Sequence, residues 1–296
     1  MRIVVSGASG LIGRHLVAHL RNGGHEVLTL VRHAEREPHE VQWDPSAGRL
    51  DPRRLTGVQG AVNLSGAGVG DKRWTAQYKE TILRSRTEST STLVRALLAL
   101  AEQPQVLVNA SAIGAYGDGG SAVLTEDSPR GGDFLAHVVQ EWEGATAPAT
   151  DAGLRVALAR TGLLANPVGG AFGQLLTLVR LGLGGPLGSG TQWWSPISMP
   201  DELAALEFLL THDVSGPVNL VCPEPATNLA VTAALGAALH RPTVLPAPAF
   251  ALRLALGEFA GQTLASQRVV PQVLQDNGFE FRHPDVAAVT GWLARA

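Results

Sequence analysis

Three glycines and an arginine carry the first chemistry that can be read. Gly7, Gly10 and Gly13 stand at every third position of Gly7-Ala8-Ser9-Gly10-Leu11-Ile12-Gly13. Arg2-Ile3-Val4-Val5-Ser6 before them reads as a short buried strand, and an amphipathic helix follows from Leu11 to about Arg21. Strand, glycine turn and helix in that order bring unpaired amide N–H groups and the positive helix end to a pyrophosphate. Gly7 allows the tight turn, Gly10 the approach of backbone to phosphate, and Gly13 the packing of helix on strand. The spacing is G-x-x-G-x-x-G, not the G-x-G-x-x-G of the commoner dinucleotide fingerprint. Glycines alone also suit a plain structural turn; the strand–helix context makes nucleotide binding the expectation.

The second strand selects the nucleotide. His25-Glu26-Val27-Leu28-Thr29-Leu30-Val31 is apolar enough for a parallel strand buried on both faces. An acid at the end of this strand would take the free ribose 2′-hydroxyl of NAD. Here the strand ends in Arg32-His33, and no carboxylate follows until Glu35. A guanidinium can grip a 2′-phosphate with two parallel charge-assisted hydrogen bonds, so NADP(H) is the expected cofactor. The plainer reading of Arg32 is a solvated residue at a strand end.

The elements that must hold these groups alternate between strand and helix over the first 220 or so residues, which predicts an α/β fold, a doubly wound parallel sheet of Rossmann type. Further strands are expected at Glu40–Trp43, Gly60–Leu64, Gln105–Ser111 and Leu154–Arg160. Helices are expected at about Thr75–Ala101 and Asp133–Asp151, and later at Pro200–Thr211, Asn228–Leu239, Ser266–Asp276 and Pro284–Ala294. Residues 1–225 form the expected Rossmann core, with 166–197 contributing to a substrate lobe. Pro242 to Pro248 lead into a C-terminal segment, 246–296, expected as a smaller α+β substrate lobe.

Composition narrows the classes. Charged residues make up 17% of the chain and the formal net charge is −3, so no basic surface for nucleic acid is expected. No apolar stretch approaches the eighteen or so residues of a membrane span. The chain starts straight into a strand, which reads as a cytoplasmic protein without a signal peptide. The single cysteine, Cys222, excludes an intrachain disulfide and a cysteine metal cluster. The histidines are not read as a ligand cluster, so no metal is expected. A monomer or homodimer acting on a small molecule is the expected state.

With these pieces placed, the chain resembles the short-chain dehydrogenase/reductase superfamily in its extended epimerase/dehydratase branch. More narrowly it is similar to the "epimerase family" proteins that carry a C-terminal domain of unknown function. The matching stretches include Ser6 to Gly13, Gln42-Trp43-Asp44-Pro45, Asn63-Leu64-Ser65-Gly66, Ser85-Arg86, Ser111 to Asp118 and Leu124 to Pro129. Arg160-Thr161-Gly162, Arg180 to Gly190, Ala226-Thr227-Asn228 and Pro246 to Pro284 extend the match over almost the whole length. The resemblance implies that Gly7, Ser9, Gly10, Leu11 and Ile12 hold the pyrophosphate and Arg32 the 2′-phosphate. It implies that Leu64, Ser65 and Gly66 run alongside the ribose, and that Arg86 lies near the cofactor. Arg86 reads otherwise as a surface helix arginine.

The same resemblance exposes a departure. The superfamily's Tyr-x-x-x-Lys helix supplies a phenol that exchanges a proton as hydride moves. Here Phe134 stands where the tyrosine belongs and Val138 where the lysine belongs. That face is expected to pack on the sheet or close over the nicotinamide with no ionisable group in reach. Ser111, at the end of its strand, matches the serine that hydrogen-bonds a substrate oxygen; it also suits a small residue ending a strand. Tyr116 could supply a phenol or pack as a loop aromatic, and Ala115 replaces the first of the family's usual tyrosine pair. His137 is a weaker candidate donor. Ser198 replaces the family's histidine in Trp194 to Asp201, and Gly184 to Gly190 with Gln192, Trp193 and Trp194 would border the substrate cleft, or else form a buried turn. Two functions follow: an NADP(H)-dependent oxidoreductase or epimerase-like enzyme, or a protein that binds NADPH without turning it over.

Overall fold

A computed structural model describes residues 1–296. Seven strands form one parallel sheet: β1 (Arg2–Ser6), β2 (Glu26–Val31), β3 (Glu40–Gln42), β4 (Gly60–Asn63), β5 (Val106–Ala112), β7 (Arg155–Thr161) and β11 (Gly216–Leu220). Their spatial order is β3-β2-β1-β4-β5-β7-β11, so the chain starts in the middle, winds to one edge and returns to build the other. This is the doubly wound Rossmann arrangement, and its direction reverses between β1 and β4.

Helices cover both faces because the central strands are apolar on both. In β1, Ile3 and Val5 join the core under α1 (Leu11–Asn22) and α6 (Met199–Thr211). Val4 joins the opposite core, under α2 (Ala76–Leu98) and α4 (Ala147–Asp151). All three side chains are fully buried, which withdraws roughly 1.5–3 kcal/mol of apolar side chain from water at each position. Register aligns Ser6 with Asn63 and Asn63 with Asn109, a polar row at the carboxyl ends of β1, β4 and β5.

The expected helix from Asp133 to Asp151 is two helices, α3 (Phe134–Gly144) and α4. Pro148 explains the break: it has no N–H to give the preceding turn, so it starts α4 instead. The expected helix from Ser266 to Asp276 is likewise divided into β13 (Arg268–Val269) and α10 (Gln272–Asp276), with Pro271 at the junction.

The remaining elements make the second layer. They are β6 (Val123–Leu124), β8 (Leu163–Ala165), α5 (Gly170–Arg180), β9 (Trp193–Trp194), β10 (Pro196–Ser198), β12 (Ala226–Thr227), α7 (Asn228–Leu239), α8 (Ala249–Leu256), α9 (Ala260–Leu264) and α11 (Val286–Arg295). The C-terminal segment adds strand β13 to β6, and α11 packs on α7 through Val286, Val289 and Leu293. Gly185 passes so close to Leu245 that a Cβ there would lie 1.8 Å from its carbonyl oxygen. The glycines at 184–190 therefore join this loop to the C-terminal segment by backbone contact. No helix is long and apolar enough to cross a membrane.

Candidate functional site

The glycine turn is built as its spacing implies. Gly7 has φ +68°, and a Cβ on it would stand 2.7 Å from the Leu64 carbonyl group, so both conformation and contact require glycine. A Cβ on Gly13 would stand 2.1 Å from the Gly7 carbonyl oxygen, which is the close helix–strand packing expected of it. Gly10 is the N-cap of α1; no side chain caps the helix and no acid lies in its first turn. The first internal bond is from Arg14 N to Gly10 O, which leaves the amides of Leu11 and Ile12 pointing out of the helix end without acceptors. Ser9 is exposed beside them. An anion is the chemical partner this end calls for.

Across the turn, the loop after β4 is fastened from below. Ser6 Oγ donates to Asn63 Oδ1 at 2.5 Å, and Ser65 Oγ donates to Ser6 Oγ at 3.0 Å. Asn63 Nδ2 reaches Asn109 at 2.7 Å and Thr90 at 2.9 Å. Arg86 is half-buried, not a free surface arginine. Its Nη1 donates to Ala67 O at 2.9 Å and to Ile82 O at 3.0 Å, and its guanidinium lies 5.0 Å from the Trp142 ring centre. Burial pushes its pKa down to about 10. It props the Leu64–Gly66 loop, with Gly66 lying directly against it.

At the end of β2, Arg32 is exposed and has no protein partner. It stands on a cleft of about 510 Å³ with Gln42, Trp43, Asp44, Arg49, Leu50 and Asp51. Every nearby acid is already engaged. Glu35 accepts from Gln42 N and pairs with Arg54, Asp44 pairs with Arg49, and Asp51 pairs with Arg53. Backbone and guanidinium hydrogen bonds hold the Glu35 carboxyl below its usual range. The cleft therefore offers a free guanidinium and no free carboxylate.

The two hydroxyls singled out for chemistry have another task. Ser111 donates to Glu143 Oε1 at 2.6 Å; Tyr116 donates to Asn219 Oδ1 at 2.7 Å and accepts from Arg160 Nη1 at 2.9 Å. Arg160 and Glu143 form a bidentate pair at 2.9 and 3.0 Å, each with 3% of its side chain exposed, and Arg130 also reaches Glu143. Burial alone would raise the Glu143 pKa; Arg160, Ser111 and Arg130 outweigh it and hold the carboxyl below its usual range. Burial pushes the Tyr116 phenol up, only partly offset by Arg160 and Asn219. With both residues 4% exposed, these hydroxyls brace β5, β7 and β11 to one another rather than face a cleft. The structure thus places Ser111 and Tyr116, the expected catalytic residues, inside a buried network. Glu143 had no period or motif to announce it; Glu141, two residues earlier on the same helix, is an exposed acid that reads no differently in sequence.

On α3, Val138 is 1% exposed and packs with Tyr78 and Ile82 of α2, not on the sheet. Phe134 meets Trp74 edge-on, with ring centres 4.9 Å apart. Contrary to expectation an ionisable group does reach this face: Lys79 Nζ lies 5.0 Å from the Phe134 ring centre. His137 is exposed. Trp194 is 4% exposed and packs against Phe172, so it borders no cleft, and Gln192 Nε2 donates to Leu187 O. Trp193 is half-buried beneath the Arg268 guanidinium, 4.2 Å from its ring centre. Ser198 is fully buried between Asp201 and His283. His15 and His19 stand one turn apart on α1, a spacing that suits a metal, but His19 shares Glu207 with His25.

A glycine turn at the switch point of a doubly wound sheet, with an unpaired arginine at the end of the neighbouring strand, defines a dinucleotide-binding protein of the short-chain dehydrogenase/reductase class. The chain belongs to the NAD dependent epimerase/dehydratase family, matched over residues 3–220, and residues 247–291 match a domain of unknown function, DUF1731. It is 41% identical to epimerase family protein Mb2239 of Mycobacterium bovis over 98% of this chain and 96% of that protein. Human epimerase family protein SDR39U1, solved with NADPH, superposes with a TM-score of 0.91 at 31% identity, covering 100% of this chain and 99% of that one. A nucleoside-diphosphate sugar epimerase from Corynebacterium glutamicum is 36% identical with a TM-score of 0.81, over 99% of this chain and 58% of that one.

Proposed function

We propose that the protein is an NADP(H)-dependent oxidoreductase of atypical mechanism. The observation that carries the cofactor is Arg32: an unpaired guanidinium on an open cleft whose carboxylates are all paired. The residues present fit the group. The Leu11 and Ile12 amides would take the pyrophosphate, Arg32 the 2′-phosphate, and the braced Leu64–Gly66 loop would bound the ribose. NADP(H), when bound, supplies or accepts a hydride; the chain must orient the acceptor, exclude water and deliver a proton. The NADPH bound to the human relative supports the same choice.

A second reading has its own observation. Phe134 and Val138 are apolar, and Ser111 and Tyr116 are held in a buried network, so a protein that binds NADPH without turnover also fits. Calorimetry followed by a carbonyl screen tests both. NADPH should bind at least about tenfold more tightly than NADH, a difference of about 1.4 kcal/mol. Equal affinities would remove Arg32 from the site. Tight NADPH binding with no oxidation across aldehydes, ketones and sugar nucleotides would favour the binding protein.

A further inference from the structure

A second cleft, of about 450 Å³, opens between α1, the start of α6 and the C-terminal segment. None of its lining residues belongs to the glycine turn or to the cleft of Arg32. Its volume suits a small organic molecule.

Two guanidiniums stand on this cleft without a partner in the chain, Arg14 from α1 and Arg282 from the stretch before α11. The acids that could have neutralised them are taken. Glu207 is shared by His19 and His25, at 2.6 and 3.3 Å. Asp201 accepts from the backbone N–H groups of Arg282 and His283 and from Ser198 Oγ. Ala296, on the rim, enters no ion pair.

The loop after β8 adds a buried neutral donor. Asn166 lines the cleft, is 3% exposed, and accepts from Val168 N at 2.7 Å through Oδ1. That bond fixes which way the amide points, so Nδ2 is the end left over, and no group of the chain accepts from it. A buried amide donor of this kind calls for an acceptor from outside the chain. Apolar surface lies beside these donors: Met199 and Leu203 are buried, and the Trp292 ring is half-buried.

We infer that this cleft binds a small phosphate monoester with a flat apolar body, at a site separate from that of the cofactor. A guanidinium never gives up its charge in proteins, so Arg14 and Arg282 together ask for two negative charges. A phosphate monoester brings both, and it takes paired charge-assisted hydrogen bonds from each fork. A carboxylate balances only one. Asn166 Nδ2 supplies a further donor to the phosphate, and Trp292 with Leu203 supplies the surface for the body. Arg14 belongs to the helix that follows the glycine turn, and Arg282 to the C-terminal segment. The ligand therefore ties that segment to the core and stabilises the fold when bound.

Each cleft carries its own tryptophan, Trp43 in that of Arg32 and Trp292 in this one. Their indole N–H resonances, assigned by Trp43→Phe and Trp292→Phe, report the two sites separately in the isotope-labelled full chain. Phenyl phosphate is the probe. Added to the protein, it should shift the Trp292 signal along a saturable curve, while phenol and benzoate bind at least about tenfold more weakly. Arg14→Gln and Arg282→Gln should each weaken phenyl phosphate at least about tenfold, the loss of one hydrogen bond to a charged group. Both arginines are exposed, so the variants should unfold at the native Tm when no ligand is present. Arg32→Gln should leave the Trp292 curve unchanged. A Trp292 signal that stays still, or that responds equally to phenol or benzoate, overturns the proposal. A shift abolished by Arg32→Gln, or indifferent to both Arg14→Gln and Arg282→Gln, overturns it too. No nicotinamide cofactor enters this titration, so its outcome is independent of the cofactor reading.

Discussion

Replacing Glu202 by glutamine should make the protein progressively more stable than the native one as pH rises. Glu202 lies in the first turn of α6, is fully buried, and has Thr161 Oγ1 at 2.8 Å as its sole hydrogen-bond partner. Its Oε2 is buried with no partner, and no cation is near. Burial, opposed only by the Thr161 hydroxyl, pushes the carboxyl from 4.5 up to about 8. The native state therefore keeps a proton that the unfolded chain releases above its own lower pKa. Stability falls as pH climbs between the two values and levels off above the higher one. The slope is about 1.4 kcal/mol per pH unit, and the whole gap amounts to about 5 kcal/mol. Glutamine keeps the shape, still accepts from Thr161 and carries no charge to bury. Urea unfolding followed by tryptophan fluorescence should show the variant gaining about 3–4 kcal/mol on the native protein between about pH 5 and pH 8. All other groups titrate in both proteins, so the difference isolates this one. Parallel stability curves over that range would refute the reasoning, because they would mean that Glu202 carries no raised pKa in the native state.

Other consequences can be measured directly. Arg32→Asp should reverse the cofactor order, giving NADH at least about tenfold tighter than NADPH by calorimetry. Arg160→Met leaves Glu143 buried against Ser111 with only Arg130 for a counter-charge, and should lower unfolding free energy by about 3–5 kcal/mol; adding Glu143→Leu should restore much of it. Tyr116→Phe leaves Asn219 Oδ1 and Arg160 Nη1 each short of a partner, a loss of about 1–3 kcal/mol in urea unfolding with NADPH affinity unchanged. A Tyr116→Phe variant that keeps its stability but loses turnover would return the phenol to the catalytic site.

Much of the site was open to local reading. Gly7 and Gly13 answer to rules of backbone conformation and close approach that act within a few residues, so strand, turn and helix could be placed from their spacing. The central strands showed in runs of Val, Leu and Ala because both sides are buried. Arg32 stood out because a strand of that kind ends where the ribose lies. The helix breaks at Pro148 and Pro271 were equally local, and the longer apolar periods around them obscured the stops.

What residue types and spacing determined, then, is the chain's fold class and the place where a nucleotide would meet it, since both follow from periodicity and from neighbours in sequence. What only the tertiary structure decided is which polar groups remain free to act. Ser111 lies 32 residues from the carboxylate that engages it, Tyr116 lies 103 residues from Asn219, and Lys79 meets an acid from the other end of the chain. A hydroxyl or an ammonium has the same composition whether it faces solvent, substrate or a buried partner. Its chemistry is set by the low-dielectric surroundings and the hydrogen bonds that long-range packing brings to it, and no local pattern encodes those.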